Sequence, residues 1–191
     1  MMKRLNKNGF TIIELLIATV VFSVVLMVIT ASIVQFGKLY YRGVVQDRMQ
    51  ETVRNISESV TQTIQFAGVS TPVSFTNGSN ITGYCIGNIR YTMNTLAGSY
   101  HLTRDTISSP CSVAAVGTNR TEFLGTDMQP LKFTINSSLA GKADTVAIKI
   151  AYGPSDVFLR DMSNNITGCK QVTVGGQFCA ISDLTTTVVK R

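Results

Sequence analysis

The sequence holds one histidine, His101, and four cysteines with no Cys-x-x-Cys spacing among them. It contains no Gly-x-Ser-x-Gly and no glycine-rich phosphate loop. Hydrolysis through an activated serine needs a nucleophile, a base and an orienting group, so these gaps set such chemistry aside and leave no catalytic residue to name. They also disfavour zinc, whose structural sites draw on closely spaced Cys and His. Two absences of charge say more. No acid stands among the first nine residues, and no charged residue lies between Glu14 and Lys38. That uncharged run of 23 residues, at about 1.5 Å per helical residue, covers about 35 Å and is long enough to cross the hydrocarbon of a bilayer.

The run begins within residues 8–29, NGFTIIELLIATVVFSVVLMVI, which carry a single acid, Glu14. A carboxylate near the centre of a membrane helix is penalised by about 2.5–3.5 kcal/mol, and less toward the interface, so Glu14 calls for a partner. Ahead of it stand Lys3, Arg4 and Lys7. The positive-inside rule then keeps the N-terminus in the cytoplasm and sends the rest of the chain out. A secretory signal would have a shorter apolar core followed by a small-x-small cleavage site, and a plain anchor would have no use for the acid.

Basic leader, Gly9, Phe10, Thr11, two aliphatics, Glu14 and a long apolar stretch: this order resembles the class III leader of type IV prepilins and pseudopilins, and GFTIIEL fits that family's pattern at every position. The resemblance implies that a prepilin peptidase/N-methyltransferase cuts after Gly9 and methylates the new terminal Phe10. It implies that Glu14 pairs with the terminal amine of a neighbouring subunit during assembly. The implied partners are other pilin or pseudopilin subunits, the inner-membrane assembly platform and, before assembly, the lipid bilayer. The implied location is the cytoplasmic membrane in a single pass, then an extracellular pilus or a periplasmic pseudopilus. Major type IVa pilins usually carry a proline where this chain has Ala31, which turns the expectation toward a minor pilin or pseudopilin of a type IV pilus, secretion or competence filament.

Three segments follow: a leader at 1–9, a transmembrane and assembly helix at 10–37, and an extracytoplasmic globular domain at 38–191. The leader supplies half of the net charge of +6, and no basic run interleaved with aromatics appears. Nucleic-acid binding therefore has no support from charge; a surface adhesin or DNA-receptor pilin is the alternative reading. Past the membrane, Val45, Met49, Val53, Ile56, Val60 and Ile64 recur at steps of three and four, one apolar stripe of a helix that Gly37 and Gly43 weaken and Gly68 with Pro72 ends. Strands are expected in NITGYCIGNIRYTM and SYHLTRD about the turn NTLAG, in LKFTINS and DTVAIKIAY, and in KQVTV, FCAISDL and TTTVVK. The fold class is α+β and pilin-like: a long N-terminal helix packed on an antiparallel β-sheet.

Cys85, Cys111, Cys169 and Cys179 all lie on the predicted outer side, where disulfides form. Four cysteines allow three pairings. Proximity favours Cys85 with Cys111 and Cys169 with Cys179, the second resembling the C-terminal loop of many pilins. Asp156, Asp161, Asn164 and Asn165 are oxygen ligands, but their spacing matches no EF-hand, and neither metal nor cofactor is expected. His101 is expected on a strand or at the surface, and the sequons at Asn80 and Asn165 follow from an Asn/Thr-rich composition.

Overall fold

The computed structural model describes residues 10–67, 71–96, 99–108, 110–114, 116–138, 142–162, 165–170 and 178–190. Gly9 and the rest of the leader lie outside the described residues. The chain divides into two units, Met1–Tyr40 and Tyr41–Arg191. One helix, α1 (Ile12–Phe66), runs through both, unbroken at Gly37 and Gly43. Those two glycines lower propensity without stopping the helix, because helical stability comes mainly from environment and packing rather than from single residues.

In the first unit α1 is apolar on all sides, and none of its most hydrophobic window is buried within the chain. It is the only helix among the described residues long and apolar enough to cross a membrane. Its four hydroxyl side chains fold back on the helix itself: Thr19 donates to the Leu16 carbonyl (2.9 Å), Ser23 to Thr19 (2.8 Å), Thr30 to Leu26 (2.9 Å) and Ser32 to Val28 (2.8 Å). Hydroxyls bonded in this way leave no unmet donor to be desolvated, which suits a helix surrounded by hydrocarbon.

In the second unit the stripe becomes a core. Val45, Met49, Val53, Ile56, Val60 and Ile64 are all buried, and Ser57 joins them. On the opposite face Arg54 and Glu58 pair at 2.9 Å, both well exposed. The core-facing stripe packs on two antiparallel sheets. The larger holds β1 (Val73–Asn77), β2 (Ile81–Ile86), β3 (Ile89–Leu96), β4 (Ser99–Ile107) and β5 (Gly117–Glu122) in sequential order; the smaller holds β6 (Met128–Ser137), β7 (Ala143–Tyr152) and β10 (Ala180–Val189) in the order β10-β7-β6. A third pair joins β8 (Phe158–Arg160) to β9 (Ile166–Cys169).

These sheets differ from the expectation in five respects. The antiparallel part is three sheets rather than one. NITGYCIGNIRYTM is a hairpin, β2–β3, closed by the two residues Gly87 and Asn88, and Gly87 has the positive φ (60°) that the first position of a type II′ turn requires. β3 runs on through the expected turn to Leu96, with residues 97 and 98 outside the described set. FCAISDL and TTTVVK join in one long strand, β10, while residues 171–174 of the expected strand KQVTV lie outside the described residues. Strands β1, β5, β8 and β9 were not anticipated; β1 and β5 are short and largely exposed, so they carry little apolar alternation to read.

Tyr91 ties the larger sheet to the helix. It is fully buried, its hydroxyl bonds the Thr63 hydroxyl at 2.8 Å and the Ser59 hydroxyl at 3.1 Å, and its ring lies against Phe123 and Phe133. A buried tyrosine of this kind contributes apolar area while keeping its polar end satisfied. A smaller cluster of Ala151, Val157, Phe158 and Cys179 packs apart from the main core.

Candidate functional site

The candidate site is the first turn of α1. Thr11 takes the N-cap position, its carbonyl accepting the first helical bond from the Leu15 amide at 3.2 Å. Its side chain and that of Glu14 then close a reciprocal box. The Thr11 amide donates to Glu14 Oε2 (2.9 Å), and the Glu14 amide donates to Thr11 Oγ1 (3.3 Å). The Thr11 hydroxyl adds a bond to the same Oε2 at 2.8 Å. This is the capping box of a Thr-x-x-Glu sequence, which satisfies two amides that have no helical partner. Sequence reasoning about Glu14 looked only outward for a cation and missed Thr11, although the S/T-x-x-E spacing was legible in GFTIIEL.

Both Thr11 contacts fall on Oε2, and Glu14 Oε1 has no hydrogen-bond or ionic partner among the described residues. Phe10, just before the cap, is exposed, as are the aliphatic side chains that surround Glu14. The turn therefore presents one open carboxylate oxygen at the end of an apolar rod.

The cysteines sit far along the chain from this turn, in the second unit. Cys85 is bonded to Cys111 and Cys169 to Cys179, with no free cysteine among the described residues. The segment carrying Cys111 is held by Arg90, whose side chain is almost fully buried. Arg90 Nη1 donates to the carbonyls of Ser112 (2.7 Å) and Val113 (3.2 Å), while Nε and Nη2 grip the two oxygens of Asp105. Such a fork is the strong form of ion pair, fully hydrogen-bonded on both sides. It was not visible beforehand, because Arg90 and Asp105 are brought opposite one another only by the β3–β4 register.

His101 lies on β4, about half exposed, with Nδ1 2.9 Å from Glu122 Oε2. Glu122 Oε1 also accepts from the amides of Leu102 (3.0 Å) and Leu124 (3.2 Å), so the carboxylate anchors a strand end. Asp161 caps its own turn, accepting from the Asn165 amide (2.8 Å) and side chain (3.1 Å), and Lys170 Nζ donates to the Asp156 carbonyl (2.7 Å); Asn164 lies outside the described residues. Among the described residues no group of three or more His, Cys, Asp or Glu gathers in a way that would hold a metal ion.

Among the described residues the chain thus has one helix long and apolar enough to cross a membrane, with a capped, half-open carboxylate at its start. Residues 4–30 match the family described as the prokaryotic N-terminal methylation motif. The match is confined to this N-terminal segment, where it coincides with GFTIIEL, the stretch that resembles the class III leader of type IV prepilins and pseudopilins. No curated protein and no solved structure matches the chain.

Proposed function

We propose that this protein is a minor pilin or pseudopilin, a structural subunit that works by being cut, drawn from the membrane and stacked into a filament of a type IV pilus or a related secretion or competence machine. The peptidase cuts between Gly9 and Phe10, and the amine of Phe10 is methylated. The segment from Phe10 to Gly37 lies first among lipids and afterwards among the helices of neighbouring subunits, with residues 38–191 outside the cytoplasm. Glu14 Oε1 receives the terminal amine of the adjacent subunit while Oε2 continues to cap its own helix. Pairing matters because a charge left alone in a low-dielectric bundle is strongly disfavoured.

The observation that carries this reading is the methylation-motif match over residues 4–30, coinciding with the start of an apolar helix exposed on every side. Alanine rather than proline at position 31 supports a minor pilin or pseudopilin over a major pilin. Mass spectrometry of the native N-terminus tests it: a mature chain beginning at methylated Phe10 is expected, and a chain retaining residues 1–9 overturns the processing. A Glu14→Ala chain is expected to be processed normally yet to enter filaments poorly. Normal incorporation would remove the role given to Glu14.

A further inference from the structure

Arg104 is a cation with nothing to hold. On β4 it stands opposite Tyr91, and residues directly opposite in an antiparallel pair share a face, so its side chain starts out from the face that packs on α1. It makes no hydrogen bond and no ion pair among the described residues, and its Nε is shut off from solvent. Fourteen residues earlier in the chain, Arg90 shows the usual arrangement, with a carboxylate and two carbonyls around the guanidinium. Arg104 is half-buried: its Nε–H is shut off from water with no internal acceptor, which is unfavourable for that donor, while the two terminal nitrogens are not among the buried unpartnered atoms and keep their donors available to a ligand.

What lies beside Arg104 is a groove of about 670 Å³, within the range of ligand sites. One wall comes from α1, with Asn55, Gln62 and the exposed ring of Phe66; another comes from the β2–β3 turn, with Asn88 and Ile89. Glu58 also lines it, but its carboxylate is 2.9 Å from Arg54 Nε and not on Arg104.

We propose that this groove binds a carboxylate presented by the acidic side chain of an extended peptide from another polypeptide. A guanidinium fork matches a carboxylate with two parallel bonds. The lining offers one uncommitted cation and one acid, so a single negative charge fits it better than a phosphate, which carries close to two. The amides of Asn55, Gln62 and Asn88 bear the donors and acceptors that peptide units need, and Phe66 and Ile89 offer apolar contact to the flanking side chains.

The test is titration calorimetry on the full chain in detergent micelles with three probes: Ac-Ala-Glu-Ala-NH2, Ac-Ala-Gln-Ala-NH2 and sodium acetate. Saturable binding of the Glu peptide is expected, with the Gln peptide and acetate each weaker by at least about tenfold, as loss of a charge-assisted contact or of the peptide contacts predicts. Arg104→Gln is expected to abolish binding of the Glu peptide without lowering the unfolding temperature, since it removes an unpaired charge. Arg104→Lys, which keeps the charge and loses the fork, should bind at intermediate strength. No saturable binding, equal binding of the Glu and Gln peptides, or unchanged binding by folded Arg104→Gln overturns the site; acetate binding as tightly as the Glu peptide overturns its assignment to a peptide.

Discussion

Thr11 and Glu14 show how one side chain can serve two purposes at a helix start. In water an N-cap contributes about 1 kcal/mol, but in hydrocarbon each unsatisfied backbone amide costs several, so the box matters more for a membrane helix than for a soluble one. Thr11→Val is therefore expected to reduce filament incorporation even with Glu14 intact, because the carboxylate loses the contacts that fix its orientation; incorporation at the normal level would show that Glu14 orients itself. Gly117 is a second residue with a narrow allowance. A Cβ there would meet Asp105 Oδ2 at 2.0 Å and Cγ at 2.6 Å. Gly117→Ala must push Asp105 away from Arg90, and breaking a buried pair costs about 3–5 kcal/mol. A large fall in thermal midpoint of the full chain in detergent is expected, and an unchanged midpoint would mean that β5 shifts aside without loss. Neither Gly117 nor Arg90 announced itself in sequence, because their importance comes from atoms supplied by β4, which the sheet brings to them.

The helix is a single hydrogen-bonded element in two environments. Along 45–64 its apolar residues were readable from a period of three to four, because only one face meets the sheets and the other stays wet. Along the first unit that periodicity vanishes, since apolar side chains stand on every face. The two halves should respond differently to the same change. Ile56→Ala, at a fully buried position, is expected to destabilise the domain by about 2–5 kcal/mol in urea unfolding followed by tyrosine fluorescence, whereas Ile29→Ala, exposed in the first unit, should leave that transition where it was. Equal effects would contradict the division of labour. The disulfides form another contrast. With sequence separations of 26 for Cys85–Cys111 and 10 for Cys169–Cys179, chain-entropy estimates give about 3.5 and about 2.7 kcal/mol. Replacing the first pair by alanine should cost about 1 kcal/mol more than replacing the second, which a reversed order in midpoints would refute.

At the level of the whole molecule, charge before the apolar run and cysteines after it imply opposite compartments. A membrane-impermeant amine reagent applied to spheroplasts of cells in which cleavage is blocked is expected to modify Lys132 and Lys149 while leaving Lys3 and Lys7 untouched; the opposite pattern would invert the orientation proposed above. The sequence by itself determined the leader, the apolar rod, the buried stripe and the α+β class, because each is written in local composition or short-range periodicity, which act without knowledge of the rest of the fold. Three sheets in place of one, the Arg90–Asp105 clamp and the unpartnered Arg104 beside its groove were decided only by tertiary structure. They depend on strand register and on which residues of distant segments come to lie face to face, and a side chain's need for a partner becomes apparent only once its surroundings are assembled.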